Sequence, residues 1–150
     1  MRAVIQRVDR AAISADGVPC GDGTVGLFVL LGIAPTDTAS DVDLLANKIV
    51  KMRVFSDDAG KMNRALSDVD GTLYLVSNFT LYANCRHGNR PDFFGAASPT
   101  LAEELYDLFV SRVRSLQSPV VCGRFGADMK IDTVCSGPVT IVLDSESLKR

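Results

Sequence analysis

A continuous apolar run from Val25 to Ile33 constrains the fold of this chain more than any other segment. The run contains Gly26 and Gly32 near its two ends. It is far shorter than the ~20 apolar residues that a membrane-spanning helix needs. A short apolar run bounded by glycines is typical of a strand whose two faces are both covered. The sequence therefore predicts a strand here that is buried on both faces of its sheet.

Strand patterns outnumber helical patterns in the rest of the chain. Further strands are predicted over residues 1–8, 11–15, 18–20, 53–55, 71–79, 120–121, 129–134 and 139–143. Apolar residues at three- and four-residue steps predict two main helices, over 42–52 and 98–117. This pattern places Asp41 outside the apolar face of the first helix and Arg112 on the apolar face of the second. Asp16-Gly17 predicts a tight hairpin turn. A chain of 150 residues accommodates one domain. We therefore predict a single α/β domain over 1–150, with a mixed, curled or barrel-like sheet and a loose tail over 145–150.

The charge balance limits how much nucleic acid the protein can cover. Lys and Arg number 16 and Asp and Glu number 18, which leaves a net charge of −2. Proteins that bind long stretches of nucleic acid depend on many contacts between basic side chains and phosphates. The composition argues against such a protein, but it allows one that touches only the end of a nucleic acid.

The cysteines indicate a reducing compartment. The four residues are Cys20, Cys85, Cys122 and Cys135. None forms a C-x-x-C pair, and four is too few for a disulfide scaffold in a chain of this length. No signal peptide is visible, because Arg2, Gln6 and Arg7 interrupt the apolar start. We therefore expect a cytoplasmic protein that does not span or bind membranes.

His87 is the only histidine, and it offers no ready catalytic machinery. It lies between two arginines, Arg86 and Arg90, in a predicted loop over 82–97. No rigid partner for a serine triad is suggested, and a metal site with Cys85 would lack further ligands. We predict no metal and no cofactor. The two arginines suit phosphate contact, although a merely solvated loop is equally compatible with the composition.

Two segments carry polar groups where a purely structural strand would not need them. Ser77-Asn78-Phe79-Thr80-Leu81 ends a strong strand with three polar side chains around one aromatic ring. Hydroxyl and amide groups at a strand end often face a pocket. Ser136-Gly137-Pro138-Val139-Thr140 begins the last strand, and composition alone makes Gly137-Pro138 an ordinary turn.

Together these segments resemble the two motifs of the D-aminoacyl-tRNA deacylase family, usually Ser-Gln-Phe-Thr-Leu and Asn-x-Gly-Pro-Val-Thr. The resemblance extends over nearly the whole chain, through Met1–Val8, Gly60–Asn63, Arg90–Pro91 and Gly123–Met129. It implies a hydrolase of translation quality control that cleaves the ester between a D-amino acid, or glycine, and the terminal adenosine of tRNA. It also implies a homodimer with active sites at the subunit interface.

The resemblance assigns a role to each candidate site residue. A cis Gly137-Pro138 would project into the partner's site and exclude the side chain of an L-amino acid, with Arg7 fixing its orientation. Ser77, Asn78, Phe79 and Thr80 would line the ester, where backbone N–H groups can hold an oxyanion. Phe125 and Met129 would form the adenine pocket. Without the resemblance, these last two residues would be interpreted as core residues.

The nucleophile has two possible identities. Thr80 could attack the ester, but an activating base should then lie within reach, and only His87 is offered. The resemblance instead implies that the ribose 2′-hydroxyl helps to activate water, and we favour this mechanism because it explains the missing triad. Thr80 would then orient the substrate.

Two departures from the family pattern bear on selectivity rather than on activity. Asn78 replaces the usual Gln, and Cys135-Ser136 replaces the usual Asn-x. Two other functions stay open beside the deacylase. One is a nucleic-acid-binding protein without catalysis, and the other is a proofreader with relaxed chirality.

Overall fold

The apolar run forms a central strand of the sheet in the computed structural model, which describes residues 1–149. The strands are β1 Arg2–Ala15, β2 Val18–Gly23, β3 Gly26–Gly32, β4 Phe55–Ser56, β5 Met62–Arg64, β6 Thr72–Ser77, β7 Val120–Cys122 and β8 Met129–Asp144. The helices are α1 Ala39–Val50, α2 Pro99–Leu116 and α3 Ser145–Leu148, with 3₁₀ turns at Leu66–Val69 and Phe79–Tyr82.

Strand β3 is buried on both faces, as the sequence predicts. Leu27, Val29 and Leu31 point into the larger core, which includes the buried faces of α1 and α2. Phe28 points the other way, into a smaller cluster that includes Tyr74 of β6. All these side chains are almost fully buried. The prediction is confirmed because side chains alternate along a strand and each face of β3 meets its own apolar layer.

The sheet is mixed and nearly closes on itself. Strand β1 pairs antiparallel with β2, β3 and β8, whereas β3–β6 and β6–β7 are parallel pairs. The path from β2 to β7 curls until its ends approach, since a Cβ added at Gly21 would lie 3.0 Å from Cγ1 of Val121. The expected barrel-like sheet in a single α/β domain is therefore confirmed.

Two predicted strand breaks are wrong. The sequence suggested a break at Asp9-Arg10 and another between 134 and 139, but β1 and β8 are each continuous. Apart from irregularities between Gln6 and Arg10, the two strands pair from Arg2 with Asp144 to Ala15 with Met129. This long-range pairing holds polar and proline-containing segments in the sheet, which local patterns do not reveal.

The two main helices pack on one face of the sheet. Ser98 caps α2 by accepting a hydrogen bond from the Leu101 N–H, and Phe109 and Val113 of that helix are fully buried. Helix α1 ends at Val50, two residues before the predicted end. Arg112 was placed on the apolar face of α2, but its side chain is exposed and pairs with Asp43 of α1 at 2.5 Å.

The predicted loose tail over 145–150 is wrong for residues 145–149, and Arg150 lies outside the described residues. Ser145 is fully buried at the start of α3. Its hydroxyl accepts a hydrogen bond from the α-ammonium group of Met1 at 2.8 Å and donates one to Asp41 at 2.6 Å. Lys149 lies 2.9 Å from the same carboxylate. These contacts fix the terminal segment against α1.

Asp41 was predicted to lie on the solvent side of α1, but it is fully buried. Burial by itself raises the pKa of its carboxyl. Hydrogen bonds from Ser145, Lys149 and Thr38 outweigh that effect and hold the pKa well below its usual range. The carboxylate is buried because it caps α1 at Thr38 and also receives the chain end.

We predict that Asp41→Asn lowers the free energy of unfolding at pH 7 by about 2 kcal/mol, since a hydrogen bond to a buried charged group contributes ~1.5–3 kcal/mol. A carboxyl whose pKa is depressed in the folded state stabilises the protein above its unfolded pKa and loses this effect as the pH falls. The difference between the variant and wild type should therefore shrink below pH 3.8. Urea unfolding from pH 7 to pH 3 measures it. Asp107→Asn, at an exposed position, is the control; equal stabilities of wild type and Asp41→Asn at pH 7 would contradict the account.

Candidate active site

The first motif lies where β6 leaves the sheet. The Asn78 N–H still donates to the Leu31 carbonyl of β3 at 2.7 Å, which extends the parallel pairing by one residue beyond Ser77. The chain then turns through the 3₁₀ segment Phe79–Tyr82. The Asn78 side chain caps this turn, because its Oδ1 accepts a hydrogen bond from the Thr80 N–H at 3.2 Å. The polar residues that follow β6 therefore form an ordered 3₁₀ turn with its own side-chain cap.

Thr80 is exposed, and its hydroxyl is committed to Asn78. The Thr80 Oγ1 donates a short hydrogen bond to the same Asn78 Oδ1. An amide oxygen accepts a hydrogen bond but does not act as a base at neutral pH. The arrangement orients the Thr80 side chain and supplies no group that would activate it as a nucleophile.

Ser77, Asn78 and Phe79 line a cavity of about 510 Å³, together with Phe125 and Met129. The two sets of residues lie about 50 positions apart in the sequence, at the end of β6 and around the start of β8. A cavity of this size is typical of a small-molecule site. The structure thus brings together the two residues that the resemblance assigned to the adenine and three of the four assigned to the ester, whereas Thr80 is not among the lining residues.

Phe93 also lines this cavity and was missed by the sequence reasoning. Its ring packs edge-on against Phe79, with ring centroids 5.0 Å apart. Such edge-to-face packing is a preferred aromatic geometry. The predicted loop offered only a weak signal, the adjacent pair Phe93-Phe94, and nothing in its spacing pointed to Phe79.

Tyr106 of α2 supports the wall of the cavity that Phe125 forms. Its buried hydroxyl lies 3.2 Å from the carbonyl oxygens of Leu75 and of Gly123, and it bridges β6 to the segment that follows β7. Its ring packs against Phe125 at a centroid distance of 6.0 Å. Burial raises the pKa of the Tyr106 hydroxyl, so it stays protonated and able to donate.

The second motif forms a bulge in β8. Cys135 pairs with Val8 and Thr140 pairs with Gln6, so four residues of β8 face Arg7 alone. Such a bulge bends the strand locally and redirects its side chains. The Gly137-Pro138 bond is cis, as predicted.

Arg7 packs directly against Gly137. A Cβ at Gly137 would lie 3.3 Å from Arg7 Nη2 and 2.8 Å from the Val139 backbone nitrogen, and its φ is +121°. The Arg7 Nη1 donates to the Val54 carbonyl at 2.7 Å, which anchors the guanidinium. Only glycine fits this position without displacing its neighbours.

Gly137 and Pro138 are exposed and do not line the cavity of their own chain. The structure therefore keeps the two motifs apart within one copy of the chain. Ser136 and Arg7 instead border a separate small depression that also includes Phe55.

The predicted loop over 82–97 begins inside the 3₁₀ turn and is pinched at its base. Asn84 and Asp92 exchange two backbone hydrogen bonds, of 2.9 and 3.0 Å. This pairing closes an excursion of the chain over residues 85–91, on which Arg86, His87 and Arg90 are exposed. Within residues 1–149, neither arginine forms an ion pair, and neither lines the cavity.

Within the part of the chain that the structure describes, no cluster of three or more His, Cys, Asp or Glu residues could hold a metal ion. The helices of residues 1–149 also include none that is long and apolar enough to cross a membrane.

Comparison with known proteins by family model and by sequence finds the same kind of protein, a deacylase of D-aminoacyl-tRNA. The family model described as D-Tyr-tRNA(Tyr) deacylase matches residues 4–144. A D-aminoacyl-tRNA deacylase of Desulfatibacillum aliphaticivorans is 50% identical over 97% of this chain and 100% of its own length. That of Deinococcus radiodurans is 51% identical over 96% of this chain and 99% of its own length.

Solved structures share the fold. The c-Myc DNA Unwinding Element Binding Protein superposes with a TM-score of 0.89 at 37% identity, covering 96% of this chain and 98% of that chain. A probable eukaryotic D-amino acid tRNA deacylase has a TM-score of 0.81 at 15% identity, over 95% of this chain and 97% of that one. At that identity the second likeness shows the fold alone.

We predict that Tyr106→Phe loosens the wall of the cavity that Phe125 forms, because the carbonyl oxygens of Leu75 and Gly123 lose their shared hydrogen-bond donor. The free energy of unfolding should fall by about 1–2 kcal/mol. Amide hydrogen exchange should speed up in the segment from Gly123 to Met129. Tyr74→Phe is the matched control, since the Tyr74 hydroxyl donates to the Thr24 carbonyl at 2.7 Å, in the turn between β2 and β3. Unchanged exchange around Gly123 in Tyr106→Phe would show that this hydroxyl does not hold the wall.

Proposed function

The chain belongs to the D-Tyr-tRNA(Tyr) deacylase family, and on that premise we propose that it hydrolyses the ester between a D-amino acid, or glycine, and the 3′-terminal adenosine of tRNA. The observation that carries the proposal is the shared cavity, in which Ser77, Asn78 and Phe79 face Phe125 and Met129. The substrate also suggests the cytoplasm as the place of action. The reaction needs no cofactor, because water supplies the nucleophilic oxygen.

Phe125 and Met129 form the proposed adenine seat. Phe125 is backed by the buried Tyr106, and the Met129 sulfur packs against the Gly123 backbone, where a Cβ would collide with it. An aromatic ring and a polarisable thioether offer flat, soft contacts that suit the face of a base. The ester would then extend along the cavity toward the end of β6.

The Phe79 N–H is the group best placed to hold the developing oxyanion. It makes no hydrogen bond within residues 1–149, whereas the N–H groups of Asn78, Thr80 and Leu81 are already committed. A free donor at the edge of a cavity can meet the negative oxygen of a tetrahedral intermediate, which is usually a large contribution to acyl-transfer catalysis. The Asn78–Thr80 hydrogen bonds hold the backbone of this turn on either side of Phe79.

We assign the attack to water, assisted by the ribose 2′-hydroxyl. The water oxygen adds to the ester carbonyl carbon and loses a proton, the bond from that carbon to the ribose 3′-oxygen breaks, and the 3′-oxygen takes a proton. The 2′-hydroxyl lies beside the 3′-oxygen and can relay this proton. The alternative, attack by Thr80, has no base hydrogen-bonded to the nucleophile among residues 1–149, since the Thr80 hydroxyl donates to an amide oxygen.

Gly137 and Pro138 are the proposed chirality filter, contributed by a second copy of the chain. Within one copy they are exposed and lie outside the cavity, so a filter made from them requires a homodimer. Arg7, anchored on Val54, packs against Gly137 and would hold its orientation. Exposed apolar side chains on the same strand, Ile131, Val134 and Val142, are consistent with a contact surface on β8.

The two departures from the family pattern have structural correlates. Asn78 reaches Thr80 directly, so the shorter side chain serves as a cap for the turn. The Cys135 thiol lies 3.6 Å from the Gln6 Oε1, at the edge of the bulge. We propose that these departures change fine selectivity and leave the ester hydrolysis in place.

The function is tested by comparing release of the amino acid from D-Tyr-tRNA and from L-Tyr-tRNA. We predict turnover of the D substrate with the L substrate spared, because the filter excludes the L side chain. Binding without turnover would overturn the enzyme and favour a nucleic-acid-binding protein, an alternative to which the 37% identity with the c-Myc DNA Unwinding Element Binding Protein gives some support. Equal turnover would favour a proofreader with relaxed chirality.

Gly137→Ala tests the filter itself. The added Cβ meets the Val139 nitrogen at 2.8 Å and forces the segment to move, so the ratio of D to L turnover should fall by at least about tenfold. Gly60→Ala is the matched control, since Gly60 also has a positive φ but its Cβ would meet nothing within 4 Å. An unchanged ratio in a folded Gly137→Ala protein would remove this segment as the filter.

Single-turnover deacylation by Thr80→Ala tests the nucleophile. We predict loss of no more than about tenfold, because only a hydrogen bond is removed. Thr36→Ala, an exposed threonine away from the cavity, is the control. Near-complete loss would instead indicate an acyl-enzyme on Thr80.

A substrate whose terminal ribose lacks the 2′-hydroxyl tests the same mechanism from the RNA side. Its hydrolysis by wild type should slow by about 100-fold or more, a typical contribution of general acid–base catalysis. Retained activity would contradict the assisted mechanism while leaving the deacylase activity itself intact.

A further inference from the structure

Phe94 is the most exposed large apolar side chain among residues 1–149, at 92% relative exposure. It directly follows Phe93, which packs on Phe79 at the cavity. The ring takes no part in the proposed ester site.

The backbone around Phe94 is held at several points. The Phe94 N–H donates to Asp92 Oδ1 at 3.3 Å, and the Ala96 N–H donates to the Phe93 carbonyl at 3.0 Å. The Ala97 N–H donates to the Ile33 carbonyl at 2.8 Å, which fastens the turn to the end of β3. The ring is therefore presented by an ordered turn. Binding through it costs little ordering of the backbone.

The position of this turn is the rim of the cavity. Phe93 and Ala96 both line the cavity, and Phe94 lies between them in the chain while its own ring faces solvent. The turn that presents Phe94 is therefore part of the edge of the cavity.

The charges on the same loop favour a polyanion. Arg86 and Arg90 are exposed on the excursion closed by Asn84 and Asp92, and within residues 1–149 neither is paired with a carboxylate. This basic excursion lies in a chain of net charge −2. An exposed aromatic ring on the same loop as unpaired arginines is a combination that suits single-stranded nucleic acid, by stacking on bases and by contacts to phosphates.

Resting on the proposed function, we propose that Phe94 is a stacking platform for the unpaired nucleotide that precedes the terminal adenosine, with Arg86 and Arg90 directed at the adjoining phosphates. Stacking on an aromatic ring tolerates any base, because every base has a flat face. This contact extends recognition of the substrate by one or two nucleotides beyond the cavity. It therefore strengthens binding of tRNA and has no part in the chemical step.

The test compares two substrates of different length, D-Tyr-tRNA and 3′-O-D-tyrosyl-adenosine. Phe94→Ala should lower kcat/KM for the tRNA between about 5-fold and about 100-fold, mainly through KM, as expected for the loss of one stacked base. The same variant should hydrolyse the adenosine ester at the wild-type rate. Phe94→Trp should retain tRNA turnover. Met62→Ala, which removes another exposed apolar side chain, is the control and should change neither substrate.

Three outcomes decide the proposal. Wild-type kinetics of Phe94→Ala on D-Tyr-tRNA would overturn it. Equal losses on both substrates, with a changed oligomeric state, would place Phe94 in a contact between two copies of the chain and also overturn it. If wild type hydrolyses neither substrate, the deacylase proposal fails, and the affinity of uncharged tRNA for wild type and for Phe94→Ala then decides the stacking: weaker binding by the variant supports it, and equal binding refutes it.

Discussion

The antiparallel pairing of β1 with β8 is the interaction on which the rest of the structure depends. It runs from Arg2 and Asp144 at one end to Ala15 and Met129 at the other. One end of β8 thereby delivers Met129 to the cavity, and the other delivers Ser145 to the buried carboxylate of Asp41. The bulge in the middle exposes the Gly-Pro segment opposite Arg7. One continuous strand pair thus positions the cavity wall, the second motif and the chain end.

The chemistry of the cavity follows from what its residues can and cannot do. Its lining is largely apolar, and the polar groups at the end of β6 are mostly tied to one another, Thr80 to Asn78 and Asn78 to β3. In the proposed function, such a site would orient the substrate and shield it from bulk water, and it would leave proton transfer to the substrate and the solvent. That division of work is consistent with a chain whose one histidine lies on an exposed loop.

Local patterns in the sequence predicted those elements of the fold whose signals lie within a few neighbouring residues. The apolar run of β3, the two amphipathic helices and the turn at Asp16-Gly17, where both residues have positive φ, all form as expected. The continuity of β1 and β8 was missed, because it depends on pairing between residues more than 100 positions apart. Asp41 was placed in solvent for the same reason. Its hydrogen-bond partner Ser145 lies 104 residues away, and no helical periodicity reveals that contact.

The candidate active site also combines local signals with contacts between distant segments of the chain. Polar residues at a strand end pointed to a pocket, but only the resemblance joined Ser77–Thr80 to Phe125 and Met129, which patterns alone would have assigned to the core. The most direct test of the whole account is a crystal structure with a hydrolysis-resistant amide analogue of D-tyrosyl-adenosine. We predict a homodimer with the adenine between Phe125 and Met129, the acyl oxygen at the Phe79 N–H, and the partner's Gly137 against the amino acid. An analogue bound outside the cavity, or a Gly-Pro segment remote from it in the assembled protein, would contradict the account.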